Sequence, residues 1–139
     1  EEPSAACIKL MQTFWPGPLT LLFKPKPSSI HKNITADLIG IRQPGNSVTR
    51  NILSALDHPL TAPSANISGG NPATTAQQVQ DTFGKKVELI LDAGVCRGGK
   101  PSTLVNATDN PARLIRTGEI DFKIIQECLN GCLQTQESL

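Results

Sequence analysis

The fold of this chain is decided by the stretch PGPLTLLF, residues 16–23. Its two prolines and its glycine end a preceding helix, because proline lacks the backbone donor and glycine tolerates turns. The five residues that follow, Leu19 to Phe23, form an apolar run that is too short for a helix and predicts a buried strand. A helix that leads directly into a buried strand is typical of α/β folds.

The segments on either side continue this alternation. Upstream, Glu1, Glu2 and Pro3 predict the start of a helix that runs to about Phe14. Downstream, we predict strands at 38–42, 60–62, 87–91, 102–105 and 112–115, and helices capped by Ser47, by Thr74 or Thr75, and a last one that includes Phe122. Not every connection is long enough for a parallel crossover. The sequence therefore predicts an α/β domain with a mixed sheet flanked by helices.

Length and composition limit the possible classes of protein. The chain has 139 residues and 38% hydrophobic content, which fits one domain, residues 1–139. The net charge of +1 neither requires nor excludes RNA. Four irregularly spaced cysteines and the lack of a long apolar run favour a cytoplasmic protein without a membrane span. Cys128 and Cys132 could chelate a metal, but core packing is the simpler interpretation, so we expect no metal site.

Two arginines each end an apolar strand, Arg42 after the strand at 38–42 and Arg116 after Leu114 and Ile115. A guanidinium in such a place is costly to bury without an anion, and a carboxylate or phosphate ligand would satisfy it. An internal salt bridge would satisfy it equally. Two such arginines suggest two anionic groups on the ligand.

The loop at 63–72 contains Ser64, Asn66 and Ser68 beside two glycines. Hydroxyls, an amide and close backbone approach suit a phosphate or a ribose, although such loops are often only turns. No nucleophile and base pair is evident, because His31 lies in a lysine-rich loop and His58 precedes a proline. The catalytic residues stay unknown, and positioning with charge stabilisation fits this inventory best.

Five segments, in order, resemble the motifs of the YrdC/TsaC family. The segment 14–20 (FWPGPLT) resembles the family's W-P-G-P-[LV]-T, and 41–44 (IRQP) its A-V-R-x-P strand. The segment 62–69 (APSANISG) is similar to the [AT]-[PS]-S-A-N-x-S-G loop. The segments 101–105 (PSTLV) and 114–118 (LIRTG) are similar to P-S-T-[VI]-[VI] and [IL]-[IL]-R-x-G. The resemblance covers roughly residues 14–120.

This resemblance implies a twisted mixed sheet with a concave substrate cavity, and a threonylcarbamoyl-AMP synthase activity. Such a nucleotidyltransferase uses L-threonine, bicarbonate and ATP, with Mg²⁺ expected to accompany the ATP, and releases pyrophosphate. Its product goes to a threonylcarbamoyltransferase complex that modifies tRNA. By position in the motifs, the resemblance assigns threonine binding to Arg42, Ala62 and Ser102, and ATP binding to Ser64, Asn66 and Arg116.

The chain also departs from the family pattern. The family's P-T-E-[TS]-x-Y-G-L segment and its K-x-R motif are not found, so we expect these 139 residues to be the C-terminal portion of the domain. One alternative is a YrdC-type module that binds double-stranded RNA or tRNA without catalysis, suggested by Lys24, Lys26 and Lys32. Another is the related domain of hydrogenase-maturation carbamoyltransferases.

Overall fold

The computed structural model describes residues 2–26, 37–96, 99–109 and 111–133, with side chains as far as residue 130. It divides into two compact units, one formed by Glu1–Asp57 with Lys100–Leu139 and the other by His58–Gly99. The prediction that the chain is one domain stays a prediction. Within the described ranges, no helix is both long and apolar enough to cross a membrane.

The described residues of the first unit form three helices and four strands. The helices are α1 (Ala5–Phe14), α2 (Ser47–Ser54) and α4 (Phe122–Leu133). The strands are β1 (Leu19–Phe23), β2 (Ile39–Ile41), β3 (Thr103–Asn106) and β4 (Arg113–Arg116). Each of these elements was predicted from the sequence, and β1 has the predicted bounds.

The four strands form one mixed sheet in the order β2-β1-β3-β4. The central pair, β1 and β3, is parallel, with Leu19 opposite Thr103. The outer strands are both antiparallel to their neighbours. A mixed sheet flanked by helices confirms the predicted α/β class, whereas the concave substrate cavity stays a prediction.

The hydrophobic core lies between the central strands and the helices α1 and α4. Its buried members are Cys7, Leu10, Leu19, Leu21, Val105, Ala107 and Ile125. Two polar side chains are also buried, and both have partners. Thr103 Oγ1 donates to the carbonyl of Ile120 at 2.7 Å, and the Asn106 amide donates to Asp109 at 2.9 Å. These bonds remove the cost of burying the two polar groups.

Cys7 is the only titratable core residue among the described side chains. Burial raises the pKa of its thiol, because desolvation disfavours the thiolate, while hydrogen bonds with Ser4 act in the opposite direction. Cys128 is half-buried, with Sγ 3.5 Å from Thr13 Oγ1. The side chain of Cys132 lies outside the described residues, as do His31 and Lys32.

Among its described residues, the second unit contains one helix, α3 (Ala76–Phe83), which ends at Gly84 as predicted. Its N-cap is Thr75, and Gln78 completes a capping box that satisfies donors at both ends of the first turn. The strands predicted at 60–62 and 87–91 were wrong, because neither segment has strand structure. Leu60, Val87, Leu89 and Leu91 are exposed, and neither segment belongs to the sheet formed by the described residues.

Two predicted helix starts were displaced by one or two residues. Ser4 caps α1 by accepting from Cys7 N, so the helix begins after Pro3. Asn46, rather than Ser47, caps α2 by accepting from Thr49 N at 3.0 Å. Both caps are short polar side chains of the type that satisfies the free donors of a first turn.

Candidate active site

The strand register brings Arg42, Ser102 and Arg116 to the same end of the sheet. Ile41 of β2 pairs with Leu21 of β1. Because these strands are antiparallel, the next residue, Arg42, lies opposite Thr20. Across the sheet, Thr20 pairs with Leu104, which in turn pairs with Arg116. Since adjacent strands stand about 4.8 Å apart, the two outer strands that end in these arginines are separated by about 14 Å. Two guanidiniums therefore flank the end of the sheet at which Ser102 immediately precedes β3.

Ser102 is the centre of a hydrogen-bonded cluster with Thr20 and Arg116. Its hydroxyl lies 2.7 Å from Thr20 Oγ1. Nη2 of Arg116 donates to both the carbonyl oxygen of Ser102, at 3.1 Å, and its hydroxyl oxygen, at 3.2 Å. No carboxylate of the described residues pairs with Arg116. The cluster fixes a hydroxyl and a positive charge in adjacent positions.

Gly118 allows the chain after Arg116 to pass directly against the segment before β3. A Cβ atom at this position would overlap the backbone atoms of Pro101, Ser102 and Thr103. The backbone N–H of Glu119 donates to the Pro101 carbonyl at 3.0 Å and closes this contact. Gly118 is therefore required, because the two backbones pass too close together to leave room for a side chain.

Arg42 is held against the proline-rich stretch that precedes β1. Its Nε donates to the carbonyl of Gly17 at 2.8 Å, and Gly17 N donates to the carbonyl of Gln43 at 2.9 Å. The side chain is exposed, and none of the described carboxylates pairs with it. The sequence was also compatible with an internal salt bridge at Arg42 instead of an anionic ligand. Such a salt bridge is not found among the described residues. The bond from Nε leaves the terminal nitrogens for a ligand.

An open cleft of about 540 Å³ lies beside Arg42. Its lining includes Trp15, Gln43 and a second guanidinium, that of Arg50. Nη1 of Arg50 donates to the carbonyls of Pro44 and Gly45, which fixes its direction. The cleft therefore combines an aromatic surface with two positive charges.

The second unit holds the other three residues that the sequence singled out. Ala62 and Ser64 are exposed, and the carbonyl of Ser64 accepts from Asn66 N at 3.0 Å. The loop is closed by a bond of 3.0 Å from Ala73 N to Ala65 O. The segment is thus a loop without helix or strand structure.

Asn66 has an unsatisfied acceptor. Its Nδ2 donates to the carbonyl of Ile67 at 2.9 Å, whereas Oδ1 is buried and has no hydrogen-bond partner. A buried acceptor without a donor is rare in folded proteins, because it loses its bonds to water and gains none. The described residues thus supply this oxygen with no donor.

Sequence reasoning therefore identified Arg42, Ser102 and Arg116 as candidates, and the sheet brings them to one end. It missed Thr20, although this residue belongs to the W-P-G-P-[LV]-T motif. It also missed Arg50, for which the sequence contains no motif signal. Among the described side chains, no three His, Cys, Asp or Glu residues gather into a group that could hold a metal ion.

Comparisons with known proteins identify relatives over most of the chain. The threonylcarbamoyl-AMP synthase of Pyrococcus abyssi is 36% identical over 122 residues, which cover 86% of this chain and 36% of that protein. A relative from Methanocaldococcus jannaschii is 38% identical over 120 residues, which cover 86% of this chain and 56% of that protein. The chain thus spans about a third to just over a half of these relatives.

The same similarity is present in three dimensions. The crystal structure of P. abyssi Sua5 complexed with L-threonine matches with a TM-score of 0.83 and 35% identity. The match covers 92% of this chain and 38% of that chain. The family model that combines Sua5, YciO and YrdC, described as "Telomere recombination", matches residues 1–118. This agrees with the five motifs, and the chain belongs to the Sua5/YciO/YrdC family.

Proposed function

We propose that this chain is part of a threonylcarbamoyl-AMP synthase that uses L-threonine, bicarbonate and ATP. The proposal draws on the P. abyssi relative of that name and on the Sua5 structure that was solved with L-threonine. The observation that supports it most directly is the pair of arginines that flank one end of the sheet, each without a described carboxylate partner.

The reaction needs two bond-forming steps. The threonine nitrogen bonds to the carbon of bicarbonate, with loss of water, and gives a carbamate. A carbamate oxygen then bonds to the α-phosphorus of ATP, and the bond from that phosphorus to the bridging oxygen breaks. Pyrophosphate leaves with the electron pair. Both steps join anions, so positioning and positive charge are the contributions that a protein must supply.

Each substrate can be matched to residues of this chain. In our proposal, Arg42 pairs with the threonine carboxylate through its terminal nitrogens, and Ala62 and Ser102 contact the rest of the amino acid. Ser64, Asn66 and Arg116 contact the nucleotide. The unpartnered Oδ1 of Asn66 suits a donor such as a ribose hydroxyl or the adenine amino group.

Magnesium needs no dedicated protein site in this proposal. The described residues offer no cluster of three ligating side chains. Mg²⁺ that accompanies ATP is commonly held by phosphate oxygens and water, with few protein ligands. We propose further that the product passes to a tRNA-modifying threonylcarbamoyltransferase complex in the cytoplasm.

The test is a pyrophosphate-release assay on this chain after it has been completed with the remainder of a family domain. We expect release only when L-threonine and bicarbonate are both present. The matched control lacks one of the two while ATP is kept constant. Pyrophosphate release that does not depend on threonine would contradict the proposal.

An RNA-binding module without catalysis is the second candidate. It has less support, because a net charge of +1 provides no general basic surface for a polyanion. Filter binding to tRNA at several salt concentrations distinguishes the two functions. A surface that contacts phosphates must lose affinity steeply as salt rises.

A further inference from the structure

Arg50 is a half-buried arginine on α2 whose described side-chain hydrogen bonds go to backbone carbonyls. Its Nη1 donates to the carbonyl of Pro44, at 3.4 Å, and to the carbonyl of Gly45. No carboxylate of the described residues forms an ion pair with it. Partial burial removes water from a guanidinium, so these carbonyls stabilise it in place of an anion. Arg50 thus connects α2 to the segment that directly follows Arg42.

The segment 42–45 has a second anchor in Gly17. Arg42 Nε donates to the Gly17 carbonyl at 2.8 Å, and Gly17 N donates to the Gln43 carbonyl at 2.9 Å. Gly45 lies beside the same residue, because a Cβ atom at Gly45 would be 3.8 Å from Gly17 Cα. Gly17 itself has no room for a side chain, since its Cβ would overlap the carbonyl oxygen of Phe14. The segment is therefore attached to the stretch before β1 at one side and to α2 at the other.

The direction of the Arg42 guanidinium depends on where this segment lies. Arg42 lines the cleft that Arg50 also lines. A guanidinium is planar, so the bond from Nε to Gly17 sets the direction of both terminal nitrogens. Pairing of an arginine with a carboxylate through two parallel bonds requires that direction to be correct. A shift of the segment 42–45 would thus misdirect the group that we propose to bind the threonine carboxylate.

We propose that Arg50 is a positioning residue for Arg42. Through the carbonyls of Pro44 and Gly45, it holds the segment 42–45 against Gly17 and so directs the Arg42 guanidinium into the cleft. Arg50 acts through the backbone and does not contact the carboxylate. The identity of the ligand, L-threonine, rests on the proposed function, whereas the orientation of Arg42 does not.

NMR spectroscopy of the ligand-free 139-residue chain, labelled with nitrogen-15, tests the orientation of Arg42. The Nε–H group of Arg42 is assigned by its loss from the spectrum of Arg42→Lys. Its bond to the Gly17 carbonyl should slow the exchange of this hydrogen with water. Arg50→Met removes the donors of Arg50 but keeps an apolar stem. We expect the Arg42 Nε hydrogen to exchange about tenfold faster in Arg50→Met.

Two further variants separate the bonds of Arg50 from a general effect of removing an arginine. Arg50→Lys keeps a cationic donor on a long stem, so it should restore slow exchange at Arg42. Arg113→Met is the matched control, because Arg113 lies on β4 and pairs with Asp109 at 3.4 Å. It should leave the exchange at Arg42 unchanged. Circular dichroism checks that each variant is folded.

Titration with L-threonine and, separately, with ATP tests the consequence for binding, on the completed chain described under the proposed function. We expect Arg50→Met to weaken L-threonine binding about tenfold and to leave ATP binding unchanged. Arg50→Lys should recover most of the L-threonine affinity. This contrast between the two ligands distinguishes positioning from support of the fold, which would lower both affinities.

The proposal fails if exchange at Arg42 is the same in Arg50→Met as in the wild-type chain. Weaker L-threonine binding together with unchanged exchange would mean that Arg50 contacts the ligand itself. Unfolding of Arg50→Met, or equal losses for both ligands, would assign Arg50 to support of the whole fold. If the wild-type chain binds no L-threonine, the proposed function fails, and the exchange measurement still decides whether Arg50 positions Arg42.

Discussion

The hydroxyl groups of Thr20 and Ser102 lie 2.7 Å apart, although the two residues are 82 positions apart in the sequence. Because Arg116 also donates to the Ser102 hydroxyl, Thr20 fixes the orientation of a residue that we propose to contact threonine. Removal of one such bond typically costs about 1 kcal/mol. We expect Thr20→Val to lower stability by about that amount and to weaken L-threonine binding about fivefold.

Chemical denaturation and isothermal titration with L-threonine measure these two effects. Thr20→Ser is the matched control, because it keeps the hydroxyl and should retain affinity. Wild-type affinity in Thr20→Val would show that the bond plays no part in binding.

Arg42 and Arg116 should have separable effects on ligand binding. Since hydrogen bonds to charged groups contribute about 1.5–3 kcal/mol, we expect Arg42→Ala to weaken L-threonine binding by roughly tenfold to a hundredfold. ATP binding should change little. Arg116→Ala should have the opposite pattern, measured by titration with each ligand separately. Equal losses for both ligands in both variants would assign the arginines to structural support.

Gly118→Ala should destabilise the fold, because the added Cβ would overlap the backbone at Pro101, Ser102 and Thr103. Overpacking of a rigid region costs typically 1–3 kcal/mol, so the melting temperature should fall by several degrees. Gly45→Ala is the control, since its Cβ would meet only ordinary contacts, the nearest at 3.8 Å. A melting temperature that changes equally in the two variants would contradict this account.

Asn66→Ala should reduce nucleotide affinity more than stability. The free chain loses the bond from Nδ2 to Ile67, but it also loses an acceptor that is buried without a partner. These two effects on stability oppose each other. We expect about tenfold weaker ATP binding with a small change in melting temperature, and no change for Asn71→Ala in the same loop. A large loss of stability with unchanged affinity would assign Asn66 a purely structural role.

The buried thiol of Cys7 should make stability fall at alkaline pH. Its pKa is raised in the folded state from the ordinary value of 9.0, so the unfolded chain loses its proton first as pH rises. Between the two pKa values the folded state binds more protons, and stability therefore decreases with rising pH. The free energy of unfolding, measured by denaturation at several pH values in this range, should decrease less with rising pH in Cys7→Ala than in the wild-type chain. Thiol-labelling reagents should also modify exposed Cys96 well before Cys7.

The elements that the sequence predicted correctly are those that are buried or have local end signals. Leu19 to Phe23 is an apolar run between turn residues, and Thr75 with Gln78 is a capping box. The strands predicted at 60–62 and 87–91 failed for a different reason. Local composition indicates a preference for strand structure, but a strand also needs a partner, which composition cannot supply.

Only those residues of the candidate site that belong to sequence motifs could be predicted from the sequence. Arg42 and Arg116 were predicted from their positions after apolar strands and, together with Ser102, from the motif resemblance, and the strand register explains why all three lie at one end of the sheet. The bond between Thr20 and Ser102 depends on pairing of distant strands. The unpartnered oxygen of Asn66 depends on the conformation of its own loop. Neither relationship is encoded in local periodicity.

The parallel pairing of β1 with β3 at the centre of the sheet has a consequence for biosynthesis. β1 leaves the ribosome long before Thr103, its partner at Leu19, has been synthesised. Contacts between such distant residues form slowly, because a long loop must close before any bond is gained. Until then, α1 and β2 are the described core elements that can cover the apolar side of β1. We therefore expect nascent chains that stop short of β3 to bind chaperones, and chains that include β4 to be released.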